Sequence, residues 1–332
     1  MNLYDVIIVG GGPAGLNAAV VLGRCQRKVL LFDTGKQRNK HSHGIHNYLT
    51  RDGILPGYMI SLAQKEIKKY GVSFLKKEIV NAAKQKTGIF LVKDNNGTSY
   101  YAKKLLITTG LTDKLPSLNG IKRFYGKSVF HCPYCDAWEV RNKKIGVYAK
   151  NKNGFELALS LRTWSKTIIY FTDGKKYLSL KELDILKQYK IPVITDAIEK
   201  LKGSGGILKT IVMKNNRQYP CDALFFVNGY AQQSHLVEQL GCNMSKKKMI
   251  ITNKFQQTNV SGIYVAGDAD KDVHFVVIAA AEGAKAAIII NKELQKEERL
   301  NRISLLKYQK SEPDKGILND KRFVSSSYFP EL

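Results

Sequence analysis

The sequence predicts an α/β protein that contains two Rossmann-like, three-layer folds. Two observations support this prediction. An apolar run at residues 4–9 leads into a glycine-rich turn and a helical segment, and a second strand, turn and helix begins at residue 144. Apolar strands that alternate with helices are typical of parallel sheets covered by helices on both faces.

The first turn has the G-x-G-x-x-G pattern of dinucleotide binding. Its residues are Gly10, Gly11, Gly12, Pro13, Ala14 and Gly15. Glycines at the motif positions permit the tight turn, the approach of a pyrophosphate and close packing of the helix on the strand. A second strand, residues 28–32, ends in Asp33, at the spacing expected for a carboxylate that binds a ribose hydroxyl. We therefore expect a dinucleotide at this turn.

The second strand–turn–helix unit lacks this glycine pattern. Its strand covers residues 144–149, and only Gly154 remains of the motif. Side chains at Ala149 and Asn151 are expected to crowd a pyrophosphate. Asp173 ends the next strand, and no arginine pair follows it to hold a 2′-phosphate. The sequence therefore predicts non-standard or absent use of NAD(P)H.

A Cys-x-x-Cys pair, Cys132 and Cys135, precedes the second unit and is followed at once by Asp136. A zinc site is disfavoured because no second pair exists, and a structural disulfide because no secretory signal precedes the chain. Two unreactive core cysteines remain an alternative, although Pro133 favours a turn. A redox-active pair explains the pattern best, with Asp136 placed to move the proton that thiol–disulfide exchange requires.

The other segments are assigned from composition. A strand ends at Thr109 and Gly110, and a later apolar strand ends in Gly267 and Asp268, a position suited to hydrogen bonding with a flavin nucleotide. The remaining predictions are a helix at 56–70, a hairpin of 88–94 with 98–101, a core strand at 104–108, a linker at 117–127, strands at 207–213 and 223–227, a helix at 278–290, and a polar tail at 311–332.

Composition excludes several protein classes. The 332 residues are 44% hydrophobic and 24% charged, as in globular proteins with room for two cores. No apolar run approaches the roughly 20 residues of a membrane span, and the N-terminus enters a strand without space for a signal peptide. With five cysteines, only two of them close together, we expect a cytoplasmic protein. The isolated cysteines, Cys25, Cys221 and Cys242, are expected to be buried.

The net charge and a group of three histidines give weaker indications of the binding partners. The net charge of +25 comes largely from lysines scattered along the chain, which predicts a solvated basic surface. An acidic redox protein is the alternative partner, and nucleic acid is not expected because no binding motif accompanies the lysines. His41, His43 and His46 lie within six residues, yet lack helical spacing and nearby Cys or Glu, so we predict a loop and no metal site.

Four motifs occur in the order seen in low-molecular-weight thioredoxin reductases, which the chain resembles from residue 3 to about residue 300. They are GGGPAG at 10–15, TTG at 108–110, CPYCD at 132–136 and IYVAGDA at 263–269. The sequence CPYCDAWEV at 132–140 and the segment from His41 to Gly53 resemble those of a subgroup that includes the dithiol oxidases of gliotoxin and holomycin biosynthesis.

The resemblance implies a homodimer with FAD as the cofactor. It implies an FAD-binding domain at 1–115 and 243–310, an inserted NAD(P)-like domain with the cysteine pair at 116–242, and a tail at 311–332. It places Cys135 next to the flavin, with Cys132 as its disulfide partner and Asp136 as the acid. The implied FAD-binding residues are Gly10, Gly12, Pro13, Ala14, Gly15, Asp33, Thr109, Gly110, Gly267 and Asp268. His274 and Phe275 replace the Arg-Gln pair of the family.

Three enzymatic functions and one non-enzymatic function fit this chemistry. The first is an enzyme that is fed by a nicotinamide despite the altered turn and reduces a thioredoxin-like protein or small disulfide. The second passes electrons from an acidic ferredoxin through the flavin to a disulfide, and the third oxidises a small dithiol and passes electrons to oxygen. The non-enzymatic alternative is a flavin-bound redox sensor. Because nicotinamide does not use the standard motif, Tyr328 or Phe329 of the tail is a candidate to stack on the flavin, with a disordered tail as the alternative.

Overall fold

The computed structural model describes residues 2–270 and 273–311. Contacts group residues 1–291 into one compact unit. The strands are β1 (Leu3–Val9), β2 (Val29–Phe32), β3 (Ser73–Leu75), β4 (Ile79–Lys84), β5 (Phe90–Asp94), β6 (Ser99–Ile107), β7 (Leu111–Asp113), β8 (Val129–Phe130), β9 (Ile145–Ala149), β10 (Ile168–Phe171), β11 (Val193–Ile194), β12 (Ile198–Ser204), β13 (Ile207–Met213), β14 (Gln218–Pro220), β15 (Ala223–Val227), β16 (Tyr230–Gln232) and β17 (Ile263–Val265). The helices are α1 (Pro13–Arg24), α2 (Pro56–Lys68), α3 (Ile121–Phe124), α4 (Pro133–Asp136), α5 (Asn153–Ser160), α6 (Leu180–Gln188), α7 (Leu236–Gln239) and α8 (Val276–Ser311).

The first sheet is built around β1. Its strand order is β3-β2-β1-β6-β5-β4, and β17 pairs with β6 outside this path. Strands β2, β1, β6 and β17 run parallel, while β5 and β4 join as antiparallel strands. The apolar residues of β1 and β2 are buried, as expected for parallel strands that are covered on both faces. The carboxyl ends of β1, β6 and β17 therefore lie at one edge.

The second sheet has the order β11-β10-β9-β15-β8, and its pairs are all parallel. The β9–α5–β10 unit is the predicted second nucleotide fold. Two smaller antiparallel groups accompany it, β12-β13-β14 and β16-β7. The α/β class with two Rossmann-like sheets is thus confirmed. The division at residues 115 and 243 stays a prediction.

Several predicted segments differ from the structure. The hairpin forms around 95–97, but its second strand and the core strand at 104–108 are one continuous strand, β6. The segment 117–127 is not a simple linker, because Leu118, Ile121 and Phe124 are buried in a hydrophobic cluster. By contrast, the predicted strand at 207–213 is confirmed as β13, and it pairs in the small antiparallel sheet.

The last helix and one cysteine also correct the sequence predictions. Helix α8 extends well beyond the predicted residue 290 and ends at Ser311. Cys25 is exposed, whereas Cys221 and Cys242 are buried as expected. The aromatic residues proposed to stack on the flavin, Tyr328 and Phe329, lie outside the described residues. Across residues 2–270 and 273–311, no helix has both the length and the apolar character that crossing a membrane requires.

Candidate active site

A cavity of about 460 Å³ lies at the carboxyl edge of the first sheet. This volume is within the range of pockets that enclose organic ligands and cofactors. Its wall includes the β1–α1 turn, the segments that follow β2, β6 and β17, and the end of α4. Of the predicted site residues, the wall contains Gly10, Gly12, Pro13, Ala14, Asp33, Thr109, Gly110, Cys135, Asp136, Gly267 and Asp268.

The β1–α1 turn has the shape that a pyrophosphate site requires. A Cβ atom at Gly10 would lie 2.2 Å from the Thr108 carbonyl oxygen, and one at Gly15 would lie 1.9 Å from the Gly10 carbonyl oxygen. By contrast, a Cβ at Gly12 would meet nothing within 4 Å. No side chain caps the start of α1, and no acidic residue lies in its first turn. The open space and the positive end of the helix suit an anionic phosphate.

The two ends of the cavity follow from the strand order. Strand β2 pairs with β1 on one side, and β6 with β17 lies on the other. Asp33, after β2, accepts hydrogen bonds from the Gly11 amide (3.2 Å) and from Gln37 Nε2 (2.8 Å). Asp268, after β17, lies on the opposite side of the turn. A bound dinucleotide would place its adenosine half towards Asp33 and its flavin half towards Asp268.

The residues predicted to bind FAD fit this cofactor. Packing of α8 against the turn supports this conclusion, since a Cβ at Gly283 would lie 2.0 Å from the Ala14 carbonyl oxygen. The Thr108 hydroxyl donates to the Gly10 carbonyl (2.7 Å) and fixes the turn from the neighbouring strand. Sequence analysis missed Thr108, although it belongs to the same TTG motif as Thr109. When bound, FAD supplies a two-electron acceptor and donor to this end of the sheet.

Cys132 and Cys135 form a disulfide at the start of α4. Pro133 occupies the first helical turn, where its missing amide hydrogen costs nothing, and the Cys132 sulfur accepts a hydrogen bond from the Cys135 amide (3.1 Å). The predicted turn is thus a short helix. Cys135 lines the cavity, whereas Cys132 is not among the residues of its wall. Both sulfurs belong to half-buried residues, so the pair lies between the cavity and the surface.

Asp136 lies on the cavity wall next to the disulfide. Burial and, to a smaller extent, the nearby Glu139 carboxylate raise the pKa of Asp136 to about 7, and His46 opposes both effects. A carboxyl group with a pKa near neutrality can both donate and accept a proton at the pH of the cell. This property suits the exchange of protons with cysteine thiols.

The segment between Ile45 and Ile54 is hydrogen-bonded to α4. Ile45 and Ile54 form an antiparallel bridge. Asn47 Nδ2 donates to the Tyr134 carbonyl (2.8 Å), and His46 Nε2 lies 3.4 Å from a Glu139 carboxylate oxygen. In the described part of the chain, no group of three or more His, Cys, Asp or Glu side chains could hold a metal ion. Asn47 therefore contacts the helix that carries the cysteine pair, and His46 contacts the segment that follows this helix.

A polar cluster that sequence analysis missed centres on Arg38. The side chain contacts Asp113 at the end of β7, and Asp268 and His274 in the connection between β17 and α8. His131, which directly precedes Cys132, lies 3.5 Å from Asp113. Burial lowers the pKa of His131 to about 4, with the charge of Asp113 opposing the shift and that of Arg38 adding to it. His131 is therefore neutral at pH 7.

The turn of the second nucleotide fold is filled by contacts within the chain. The Asn151 side chain accepts a hydrogen bond from the Asn153 amide (3.0 Å), and the Asn151 carbonyl accepts one from the Gly154 amide (3.3 Å). Tyr177 donates to the Ala149 carbonyl (2.6 Å). The amides that start α5 are therefore already paired, unlike the start of α1, which no side chain caps.

The carboxylate at the end of β10 is also engaged. Asp173 forms an ion pair with Lys150 (2.6 Å) and accepts hydrogen bonds from the Tyr148 hydroxyl (3.1 Å) and the Ile198 amide (2.8 Å). Burial opposes its ionisation, but these partners lower the pKa of Asp173. Tyr170 packs closely on the start of α5, since a Cβ at Gly154 would lie 2.0 Å from its hydroxyl oxygen.

A dinucleotide cavity with a disulfide and a titratable carboxyl group at its wall defines an FAD-dependent disulfide oxidoreductase. The chain belongs to the pyridine nucleotide-disulphide oxidoreductase family, whose model matches residues 4–283. Within this family it is an enzyme of the thioredoxin reductase-like class, with FAD as its cofactor.

Individual relatives support this assignment. A "Probable thioredoxin reductase" of Arthroderma benhamiae is 30% identical over 331 residues, which cover 89% of this chain and 81% of the relative. The crystal structure of TrxB from Bacillus anthracis has a TM-score of 0.85 and 34% identity, covering 89% of this chain and 99% of that one. The crystal structure of HlmI has a TM-score of 0.89 and 28% identity, and the match covers 93% of this chain and 98% of HlmI.

Proposed function

We propose that this enzyme exchanges electrons between FAD and an external dithiol or disulfide through Cys132 and Cys135, and that a nicotinamide nucleotide is not its electron donor. The observation that supports the second part is the filled turn at residues 149–154. A pyrophosphate needs uncapped amides and open space at the helix start. At the start of α1 no side chain caps the amides and a Cβ at Gly12 would meet nothing within 4 Å, whereas at the start of α5 the Asn153 amide is already bonded to the Asn151 side chain.

Nucleotide binding at the second fold would break several existing contacts. The phosphates would compete with the Asn151 side chain for the Asn153 amide, and the ribose would compete with Lys150 and Tyr148 for Asp173. The proposal therefore departs from the name of the family, while it keeps the chemistry of its cysteine pair.

The exchange reaction uses the two sulfurs in order. A thiolate of the external dithiol attacks the Cys132 sulfur, and the bond to Cys135 breaks to release the Cys135 thiolate. The second thiol of the substrate then attacks the mixed disulfide, which leaves the substrate oxidised and both cysteines reduced. FAD held at the β1–α1 turn would supply the two-electron acceptor for the reduced pair, so that the Cys132–Cys135 bond would form again with loss of two protons. Asp136 accepts a proton in this direction and donates one in the reverse.

The surface beside the pair is apolar and accessible. Tyr134 is 65% exposed and Trp138 is 62% exposed, and Leu49 lies on the segment that contacts α4. Aromatic side chains in such a position suit a protein or compact ligand with an apolar contact face. The external partner in this proposal is a thioredoxin-like protein or a small dithiol or disulfide. A cytoplasmic homodimer with FAD-binding residues 1–115 and 243–310 is part of the same proposal.

The test compares electron donors for the FAD-loaded protein under anaerobic conditions. NADPH, NADH and dithiothreitol are added separately, and the visible absorption of the flavin is followed. Dithiothreitol is expected to bleach the flavin, whereas neither nicotinamide is expected to do so in the same time. Bleaching by NADPH at a rate similar to that with the dithiol contradicts the proposal.

Equilibrium dialysis with NADPH gives a second measurement. A nucleotide that binds tightly without reducing the flavin would still contradict a filled turn. After bleaching by the dithiol, admission of oxygen or addition of an oxidised thioredoxin or an oxidised ferredoxin identifies the acceptor. Rapid recovery of the flavin absorption with oxygen alone supports a dithiol oxidase, and recovery with only one of the proteins supports that protein as the partner.

A further inference from the structure

Arg38 lies five residues after Asp33 in sequence, yet its guanidinium group lies at the other end of the cavity. Its Nε donates to both carboxylate oxygens of Asp113 (3.1 and 3.0 Å), and its Nη1 donates to Asp268 Oδ2 (3.0 Å). The same nitrogen lies 2.9 Å from His274 Nδ1. The loop after β2 therefore places the positively charged side chain of Arg38 at the flavin half of the site.

The arrangement is buried and charge-unbalanced. The side chains of Arg38, Asp113 and Asp268 are 14%, 4% and 21% exposed. Burial opposes the charge on Arg38, but hydrogen bonding to Asp113 and the two carboxylates raise its pKa. One guanidinium group is thus held between two carboxylates. Such charges act strongly on each other and on a bound molecule because little water screens them.

The remaining contacts connect this cluster to the disulfide. The Tyr125 hydroxyl donates to Asp113, and His131, the residue before Cys132, lies 3.5 Å from the same carboxylate. Because His131 is neutral at pH 7, it adds no charge that could replace that of Arg38. Arg38, Tyr125, His131, Asp268 and His274 all line the cavity.

From this geometry we propose that Arg38 is a positioning residue that sets the reduction potential of the bound flavin by offsetting part of the negative charge of Asp113 and Asp268. A flavin that gains two electrons becomes more negative, so negative surroundings lower its potential and positive surroundings raise it. Loss of Arg38 leaves two unbalanced carboxylates at the flavin half of the site. Loss of the Asp113 charge leaves Arg38 paired with Asp268 alone.

These two changes are therefore expected to shift the potential in opposite directions. The midpoint potential of the bound flavin is measured by equilibration with redox dyes for the wild-type protein and for Arg38→Gln, Arg38→Lys and Asp113→Asn. Arg38→Gln is expected to shift the equilibrium at least tenfold towards oxidised flavin, about 30 mV for a two-electron couple, and Asp113→Asn to shift it towards reduced flavin. Arg38→Lys keeps the charge and is expected to remain closer to wild type.

The double variant Arg38→Gln with Asp113→Asn tests the electrostatic origin. It removes one charge of each sign and is expected to return the potential towards the wild-type value. If Arg38→Gln fails to hold FAD, this double variant and Asp113→Asn still decide the question. Shifts of the same sign in Arg38→Gln and Asp113→Asn, or an unchanged potential in Asp113→Asn, would overturn the proposal and leave Arg38 with a structural role. None of these readouts depends on whether nicotinamide is the donor.

Discussion

Replacing Asp136 with asparagine is predicted to remove a titration near pH 7 from the reaction with dithiols. Burial and the Glu139 carboxylate raise the pKa of Asp136 from 3.8 to about 7, against the opposing effect of His46. This shift of about three pH units corresponds to ~4 kcal/mol against the charged form. His131 does not account for the titration, because its pKa is lowered to about 4.

The direction of the pH dependence follows from the role of the carboxyl group. When a dithiol is oxidised, Asp136 has to accept a proton, so the carboxylate is the active form and the rate declines as the pH falls through about 7. When a disulfide is reduced, Asp136 has to donate a proton, so its carboxylic acid is the active form and the rate declines as the pH rises through about 7. Loss of a positioned acid–base group typically lowers a rate by about 10²- to 10⁴-fold.

The assay is anaerobic stopped-flow reduction of the flavin by a dithiol over the neutral pH range. Rates are expressed per concentration of the dithiol's thiolate form, since this form also declines as the pH falls. On this scale the Asp136→Asn variant is expected to be slow and to lack the decline below pH 7. Two neighbouring substitutions serve as matched controls. Glu139→Gln removes a negative charge and should move the decline to lower pH, whereas His46→Gln should move it to higher pH. A decline that persists in Asp136→Asn, or that moves upward in Glu139→Gln, would refute the assignment.

Other variants test the cofactor site, the second fold and the isolated cysteines. Gly12→Ala adds a methyl group to open space, so it should weaken FAD binding at least tenfold in a titration and leave the melting temperature of the apoprotein unchanged. In Gly15→Ala the added methyl group meets the Gly10 carbonyl, so this variant should lower the melting temperature of the apoprotein. Asn151→Gly should leave the rate of flavin reduction by dithiols unchanged, since this turn is not used; a tenfold loss would contradict the proposal. Exposed Cys25 should react with a thiol reagent in the native protein, while buried Cys221, whose pKa burial raises to about 12, should react only after unfolding.

The sequence was sufficient to predict the parts of the site that depend on local pattern. The glycines of the β1–α1 turn, Asp33 after β2 and the cysteine pair each follow from spacing within one short segment. The strand order then brings Asp268 to the same cavity, because β17 pairs with β6. The α/β class, the FAD cofactor and the enzyme class were predicted correctly because these local patterns, and the family resemblance that they carry, can be read from the sequence.

Arg38 was missed because nothing local marks it. It lies in an irregular loop, and its partners Asp113 and Asp268 are 75 and 230 residues away in sequence. The linker prediction at 117–127 was wrong for a similar reason. Its polar and glycine residues suggested a loop, but Ile121 and Phe124 pack into a hydrophobic cluster that distant strands complete.

The central claim is that electrons reach the flavin through the Cys132–Cys135 pair. The most direct measurement is anaerobic single-turnover reduction of the bound flavin by an external dithiol in the wild-type protein, Cys132→Ser and Cys135→Ser. The account predicts that the wild-type flavin bleaches while both variants bind FAD yet stay oxidised, because neither retains a disulfide to exchange with the dithiol. Bleaching at the wild-type rate in either variant would contradict the account.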